Sequence, residues 1–126
     1  MKRFPRAFSL VEVLAAVAII GIIVFLALPN VIQSKLDAEE QMVITRAEAL
    51  NMSVSSFITA NGRSNAGTQW TGATDSAAKY LLVKGYMAYA PTVLGDYQPS
   101  GYSFTLPSSL DQKVSIFRTD GSQIHY

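Results

Sequence analysis

Residues 7–29 read AFSLVEVLAAVAIIGIIVFLALP. The stretch is apolar almost throughout, and from Val13 to Ser34 no residue is charged. A helix needs roughly 20 apolar residues to span a bilayer, and Val13 to Ile32 supplies that length. The one acidic residue, Glu12, stands at the start of the run.

The flanks orient the segment. Lys2, Arg3 and Arg6 precede it, whereas Lys35, Asp37, Glu39 and Glu40 follow with a net negative charge. Basic residues gather on the cytoplasmic side of membrane spans. The expected topology is a single pass through the inner (plasma) membrane, with the N-terminus cytoplasmic and the C-terminal part extracytoplasmic. A cleaved secretory signal is the rival. Its apolar core is about 7–15 residues long and ends in a small-x-small site. This run is longer, and Leu28-Pro29-Asn30-Val31 offers no such site.

Composition excludes several classes. The chain has 126 residues and no cysteine, so disulfides, thiolate metal sites and cysteine nucleophiles are out. Setting aside Lys2, Arg3 and Arg6, seven of the ten basic residues remain against nine acidic ones, a net of −2. The body is mildly acidic, and its bulk charge does not point to nucleic acid.

A carboxylate inside a bilayer is costly unless it is neutralised or paired. Taken alone, Glu12 reads as an interfacial carboxylate on the cytoplasmic side. Its neighbours change that reading. Arg6-Ala7-Phe8-Ser9-Leu10-Val11-Glu12, with the apolar run through Pro29, resembles the processing site of type IV prepilins and type II secretion pseudopilins. That family has a short basic leader, a small residue before the cut, Phe after it, and Glu four residues on. Gly usually precedes the cut; here it is Ala7, also small.

The resemblance implies cleavage between Ala7 and Phe8 by a membrane prepilin peptidase, then methylation of the new Phe8 amine. It also implies that Glu12 neutralises the Phe8 amine of a neighbouring subunit, setting axial register in a filament. A buried ion pair serves specificity better than net stability. Ala15, Ala18 and Gly21, at steps of three, either permit close helix approach or simply fill a membrane helix. Pro29 removes one backbone hydrogen bond and is expected to kink the helix.

Beyond Pro29 the pattern becomes periodic. Leu36, Val43, Ala47, Leu50, Val54, Phe57 and Ile58 fall on one helical face, with Asp37, Glu39, Glu40, Arg46, Glu48 and Asn51 on the others. Asn61-Gly62 is a stop. Residues 63–74 (RSNAGTQWTGAT) read as a loop, with Trp70 as a lid on the core or an exposed contact. Thr74 or Asp75 can cap a helix over Ser76 to Lys84 that turns Ala77, Ala78, Leu81 and Leu82 inward, with Gly85 ending it. Tyr86 to Pro99 reads as irregular. Alternation at Tyr102, Phe104 and Leu106, then at Val114 and Ile116, marks two strands. Asp120-Gly121 predicts a two-residue turn into a third, where Ile124 and Tyr126 share a face.

The expected fold is thus α+β and pilin-like. A long N-terminal helix, transmembrane then amphipathic, packs on a small three-stranded antiparallel sheet. The expected divisions are a basic leader at 1–7, a transmembrane and polymerisation helix at 8–34, its amphipathic continuation at 35–61, and a small extracytoplasmic domain at 62–126.

No catalytic constellation is visible, and His125 is the lone histidine. Asp96, Asp111 and Asp120 form no compact acidic loop, so solvated turn residues are expected rather than a calcium site. Tyr86, Tyr89, Tyr97 and Tyr102 read as core and rim residues, with a sticky outer surface as the alternative. No metal or cofactor is expected. The reading is a non-enzymatic filament subunit, foremost a type II secretion pseudopilin. The alternative is a major or minor pilin acting in adhesion or DNA uptake. Implied partners are further pilin subunits, membrane lipid, a prepilin peptidase/methyltransferase, and an inner-membrane assembly platform with an ATPase.

Overall fold

A computed structural model describes residues 5–126. Lys2 and Arg3 of the expected leader lie outside the described residues. The chain divides into two compact units, one up to Glu39 and one spanning Glu40–Tyr126.

Helix α1 covers Leu10–Asn61, with Pro29 inside it. In the first unit no described residue is buried, and large apolar side chains face outward all round, Phe25 and Ile23 among them. Such a helix needs lipid or other helices for a surrounding. It is long and apolar enough to cross a membrane.

In the second unit, α1 buries Val43, Ala47, Leu50, Val54 and Phe57. Their alternating steps of four and three are the stripe expected from the sequence. Leu36 does not join it, being half exposed in the first unit. Gly62, at φ 77°, ends the helix in a conformation that side-chain-bearing residues resist.

Three expectations are corrected in the segment that follows. Residues 63–74 are not a loop: α2 spans Arg63–Gly72. Its glycines and hydroxyl residues are poor helix formers, so tertiary contacts hold it. Ala66 and Trp70, one turn apart, are both buried. The Trp70 indole N–H donates to the Pro107 carbonyl at 2.9 Å, and Arg63 pairs with Asp111. Trp70 is therefore a core residue rather than an exposed contact.

Helix α3 spans Ser76–Val83, capped by Asp75, whose carboxylate accepts the Ala78 N–H at 2.7 Å. Its inward face is Lys79, Tyr80 and Val83, while Ala77 and Leu81 are exposed. Finally, Tyr86 to Pro99 is not wholly irregular. A 3₁₀ turn spans Lys84–Tyr86, and a one-turn helix, α4, spans Leu94–Tyr97.

The sheet has three antiparallel strands in the order β1 (Tyr102–Thr105), β2 (Ser115–Arg118) and β3 (Gln123–Ile124). The register places Phe104 opposite Ile116 and Ile116 opposite Ile124. All three are buried, a row of apolar side chains crossing the sheet. The β2–β3 connection has three residues, Thr119–Gly121, rather than two. The Arg118 N–H donates to the Ser122 carbonyl at 2.8 Å and the Gly121 N–H to the Arg118 carbonyl at 2.9 Å. Gly121 sits at φ 85°, the left-handed residue that closes a three-residue hairpin.

Sheet and helix share one core. Asn51 of α1 accepts the Val114 N–H at 2.9 Å and donates to the Tyr126 hydroxyl at 3.0 Å. Arg118 of β2 meets Glu40 of α1 at 3.0 Å. The α+β architecture is the one the sequence implied: a long N-terminal apolar helix and a small three-stranded sheet.

Candidate functional site

Ala7 and Phe8 precede α1 in neither helix nor strand, and both are exposed. Phe8 shows 85% of its surface. An accessible, unstructured peptide bond is what a protease requires.

Ser9 is the N-cap of α1. Its carbonyl accepts the Val13 N–H at 3.2 Å, the first rung of the helix. Its hydroxyl accepts the Glu12 N–H at 3.2 Å, and its own N–H donates to Glu12 Oε2 at 3.1 Å. This reciprocal pair is a capping box, which satisfies two of the donors that a helix start leaves open. The carboxylate also lies at the positive end of the helix dipole. Sequence reasoning placed Glu12 by its spacing from Phe8 and passed over Ser9, although S-x-x-E before an apolar run is a readable cap.

Phe8 and Glu12 border one shallow depression, with Val13, Ala16 and Val17. Glu12 is the only charged group on that lining. Ala15, Ala18 and Gly21 lie exposed along the helix, and a methyl group added at Gly21 would touch nothing within 4 Å. These three positions are uncovered by any other part of the described chain.

The second unit brings no catalytic group together. His125 is exposed. Asp111 is engaged by Arg63. Asp120 accepts from the Ser122 hydroxyl at 2.6 Å and the Ser122 N–H at 2.8 Å. Those bonds, the side-chain one foremost, hold its carboxyl below the usual carboxylate range. Asp96 is exposed on α4. Among the described residues no three acidic or histidine side chains are grouped to hold a metal ion.

The tyrosines divide. Tyr97 and Tyr102 are half-buried against the core. Tyr86 is partly exposed, and Tyr89 stands fully exposed at φ 56°. Met52, Tyr86, Met87 and Tyr89 border an open groove.

The family model for the prokaryotic N-terminal methylation motif matches residues 2–28, about a fifth of the chain. No curated protein and no solved structure matches the chain. The matched segment holds Ala7, Phe8, Ser9 and Glu12. It is the prepilin-type motif, and it supports a filament subunit of the pilin or pseudopilin kind, a structural protein rather than an enzyme. It implies processing by a prepilin peptidase and assembly into a filament. With the apolar helix it is compatible with membrane anchoring.

Proposed function

We propose that this chain, bearing the prepilin-type motif, is a structural subunit of a type IV pilus-like filament, of the type II secretion pseudopilin kind. The carrying observation is a single juxtaposition. The methylation motif at residues 2–28 takes in the start of a long helix whose first-unit part exposes large apolar side chains all round.

In this reading the precursor waits in the inner membrane, N-terminus in the cytoplasm and the residues after the span outside. Prepilin peptidase hydrolyses the Ala7–Phe8 bond, and the Phe8 amine is methylated. An assembly platform with its ATPase then moves the subunit from lipid to filament. Lipid tails are as apolar as Leu, so this transfer changes little hydrophobic energy. The decision falls to packing and to charge. Glu12 pairs the Phe8 amine of a neighbour, and each needs the other because an unpaired charge in an apolar bundle is costly. Pro29 lets the helix bend as it packs. The absence of cysteine favours a pseudopilin over pilins that close their C-terminal region with a disulfide.

The second reading is a pilin acting in adhesion or DNA uptake. It draws on the groove edged by Tyr86 and the exposed Tyr89.

Intact-mass analysis of the membrane-bound protein tests the main reading. The expected mass lacks residues 1–7 and carries an added methyl group on Phe8. A chain beginning at Met1, or near Pro29, would overturn the mechanism.

A further inference from the structure

We propose that Asn61–Gly62, the joint between α1 and α2, is a latent deamidation site. The fold restrains the Asn61 carboxamide from cyclising onto the Gly62 nitrogen, with Tyr86 as the restraining side chain, and modification there unseats α2. The inference stands apart from the filament reading.

The chemistry is internal to the chain. In an Asn-Gly pair the glycine's backbone nitrogen can attack the asparagine Cγ, because no side chain crowds the approach. The new N–Cγ bond closes a succinimide ring, the Cγ–Nδ2 bond breaks, and the side-chain nitrogen leaves as ammonia. Water then hydrolyses one of the two imide C–N bonds. The product at position 61 is aspartate or isoaspartate.

The fold opposes the first step in two ways. Asn61 is the last residue of α1. Ring closure needs a ψ far from the helical value of about −42°, so the helix turns the Gly62 nitrogen away from Cγ. The leaving atom is also held. Asn61 Nδ2 donates to the Phe57 carbonyl at 2.9 Å and to the Tyr86 hydroxyl at 3.1 Å. The Phe57 bond is internal to α1, whereas the Tyr86 bond reaches in from the 3₁₀ turn. The Tyr86 ring stands edge-on to Phe57, with ring centres 6.1 Å apart, so its hydroxyl is aimed from a core contact. Packing gives no protection of its own. Gly62 is exposed, and a Cβ built there would meet nothing within 4 Å.

The consequence follows from position. Gly62 alone separates the end of α1 from the start of α2 at Arg63. A carboxylate at position 61 would lie at the negative end of the α1 dipole and would leave the Phe57 carbonyl without that donor. Isoaspartate would add a carbon to the main chain within a one-residue joint. Helix α2 carries Ala66 and Trp70 into the core, so a shift at the joint is delivered there.

The test incubates the full detergent-solubilised chain in mildly alkaline buffer, native or in urea, and follows position 61 by peptide mapping. The tryptic peptide spanning 47–63 also holds Asn51, an internal reference. Asn61→Gln, one methylene too long for the same ring, identifies the signal. Deamidation of the native chain is expected to run at least about tenfold slower than in urea, the combined worth of two hydrogen bonds. Tyr86→Phe keeps the ring and is expected to speed the native reaction about fivefold, one bond's worth, without changing the rate in urea. Tyr97→Phe also removes a core hydroxyl, but one away from Asn61, and should leave the rate unchanged. The deamidated chain is expected to unfold at lower urea, read from Trp70, the lone tryptophan.

Equal rates in native buffer and urea would overturn the inference, as would a Tyr86→Phe chain no faster than wild type. Equal acceleration by Tyr97→Phe, or acceleration at Asn51 as well as Asn61, would show general loosening in place of a specific restraint. An unchanged urea midpoint after deamidation would refute the coupling to α2.

Discussion

Arg46 and Tyr97 hold each other twice across the second unit. The guanidinium donates to the Tyr97 carbonyl at 2.8 Å, and the Tyr97 hydroxyl donates to the Arg46 carbonyl at 2.8 Å. The guanidinium also lies 5.9 Å from the Tyr97 ring centre. The pair ties α4 to α1 and continues into the Tyr80 and Phe104 rings, at 5.9 and 6.0 Å from Tyr97. Tyr97→Phe is expected to lower unfolding stability by about 1 kcal/mol, one hydrogen bond's net worth. Arg46→Ala strands the Tyr97 carbonyl and is expected to cost about 1–3 kcal/mol. Urea unfolding of the detergent-solubilised chain measures both, and a neutral Arg46→Ala would show that water replaces the guanidinium.

Alkaline pH is expected to weaken the second unit. Burial is the chief cause raising the hydroxyl pKa values of Tyr80, Tyr97 and Tyr126, with Asp96 adding at Tyr80 and Arg46 opposing at Tyr97. Unfolded tyrosine releases its proton near pH 10, while the folded residues keep theirs. Their contribution is therefore fully present below about pH 10 and is lost as pH rises through the raised folded values. Urea midpoints between about pH 8 and pH 11 should fall, and less steeply in Tyr97→Phe. A flat profile would show that these hydroxyls ionise freely in the fold.

Asn51 is expected to be among the most sensitive polar positions. Its carboxamide serves the Val114 N–H and the Tyr126 hydroxyl together, and that hydroxyl in turn donates to the Val114 carbonyl. Asn51→Ala leaves a core-edge N–H unanswered, with an expected loss of about 1–3 kcal/mol. Hydrogen exchange at the Val114 amide should rise before global unfolding does. Unchanged protection there would refute the bond.

Lys79 and Trp70 should respond unequally despite sharing an acceptor. Lys79 is buried, donates to the Pro107 carbonyl at 2.9 Å, and lies 5.5 Å from the Trp70 ring centre. Lys79→Met keeps the volume and leaves that carbonyl bonded to the indole, so the change should stay within about 1.5 kcal/mol. Trp70→Ala opens a cavity and should cost about 3–5 kcal/mol. A severe Lys79→Met would mean that the ammonium, not the indole, secures the turn at Pro107.

Calcium should leave thermal unfolding unmoved, because Asp111 and Asp120 are already engaged by Arg63 and Ser122. A rise in Tm with millimolar calcium that a chelator reverses would reveal a site at these aspartates.

The stripe from Val43 to Phe57 was legible because helical period and burial agree, and the strands were legible from alternation. Helix α2 was not. Its residues favour a loop, and the contacts that override them come from Pro107 and Asp111, far along the chain. The inward face of α3 was misread for a related reason. Ranking by apolarity puts Leu81 inside and Lys79 out, but a lysine stem can line a core when a carbonyl receives its head. Asn51 was read as outward because its partners lie on a strand and near the chain's end. At the N-terminal site, spacing exposed Phe8 and Glu12, while the hydroxyl between them drew no notice.

Every buried side chain among the described residues lies at Val43 or beyond. One helix therefore answers to two selective regimes. Upstream of Glu39, a substitution alters which surroundings the chain tolerates; downstream, it alters whether the chain holds its shape. Changes without shared partners add in their effects. The two halves can drift, or be recombined with foreign counterparts, each under its own constraint.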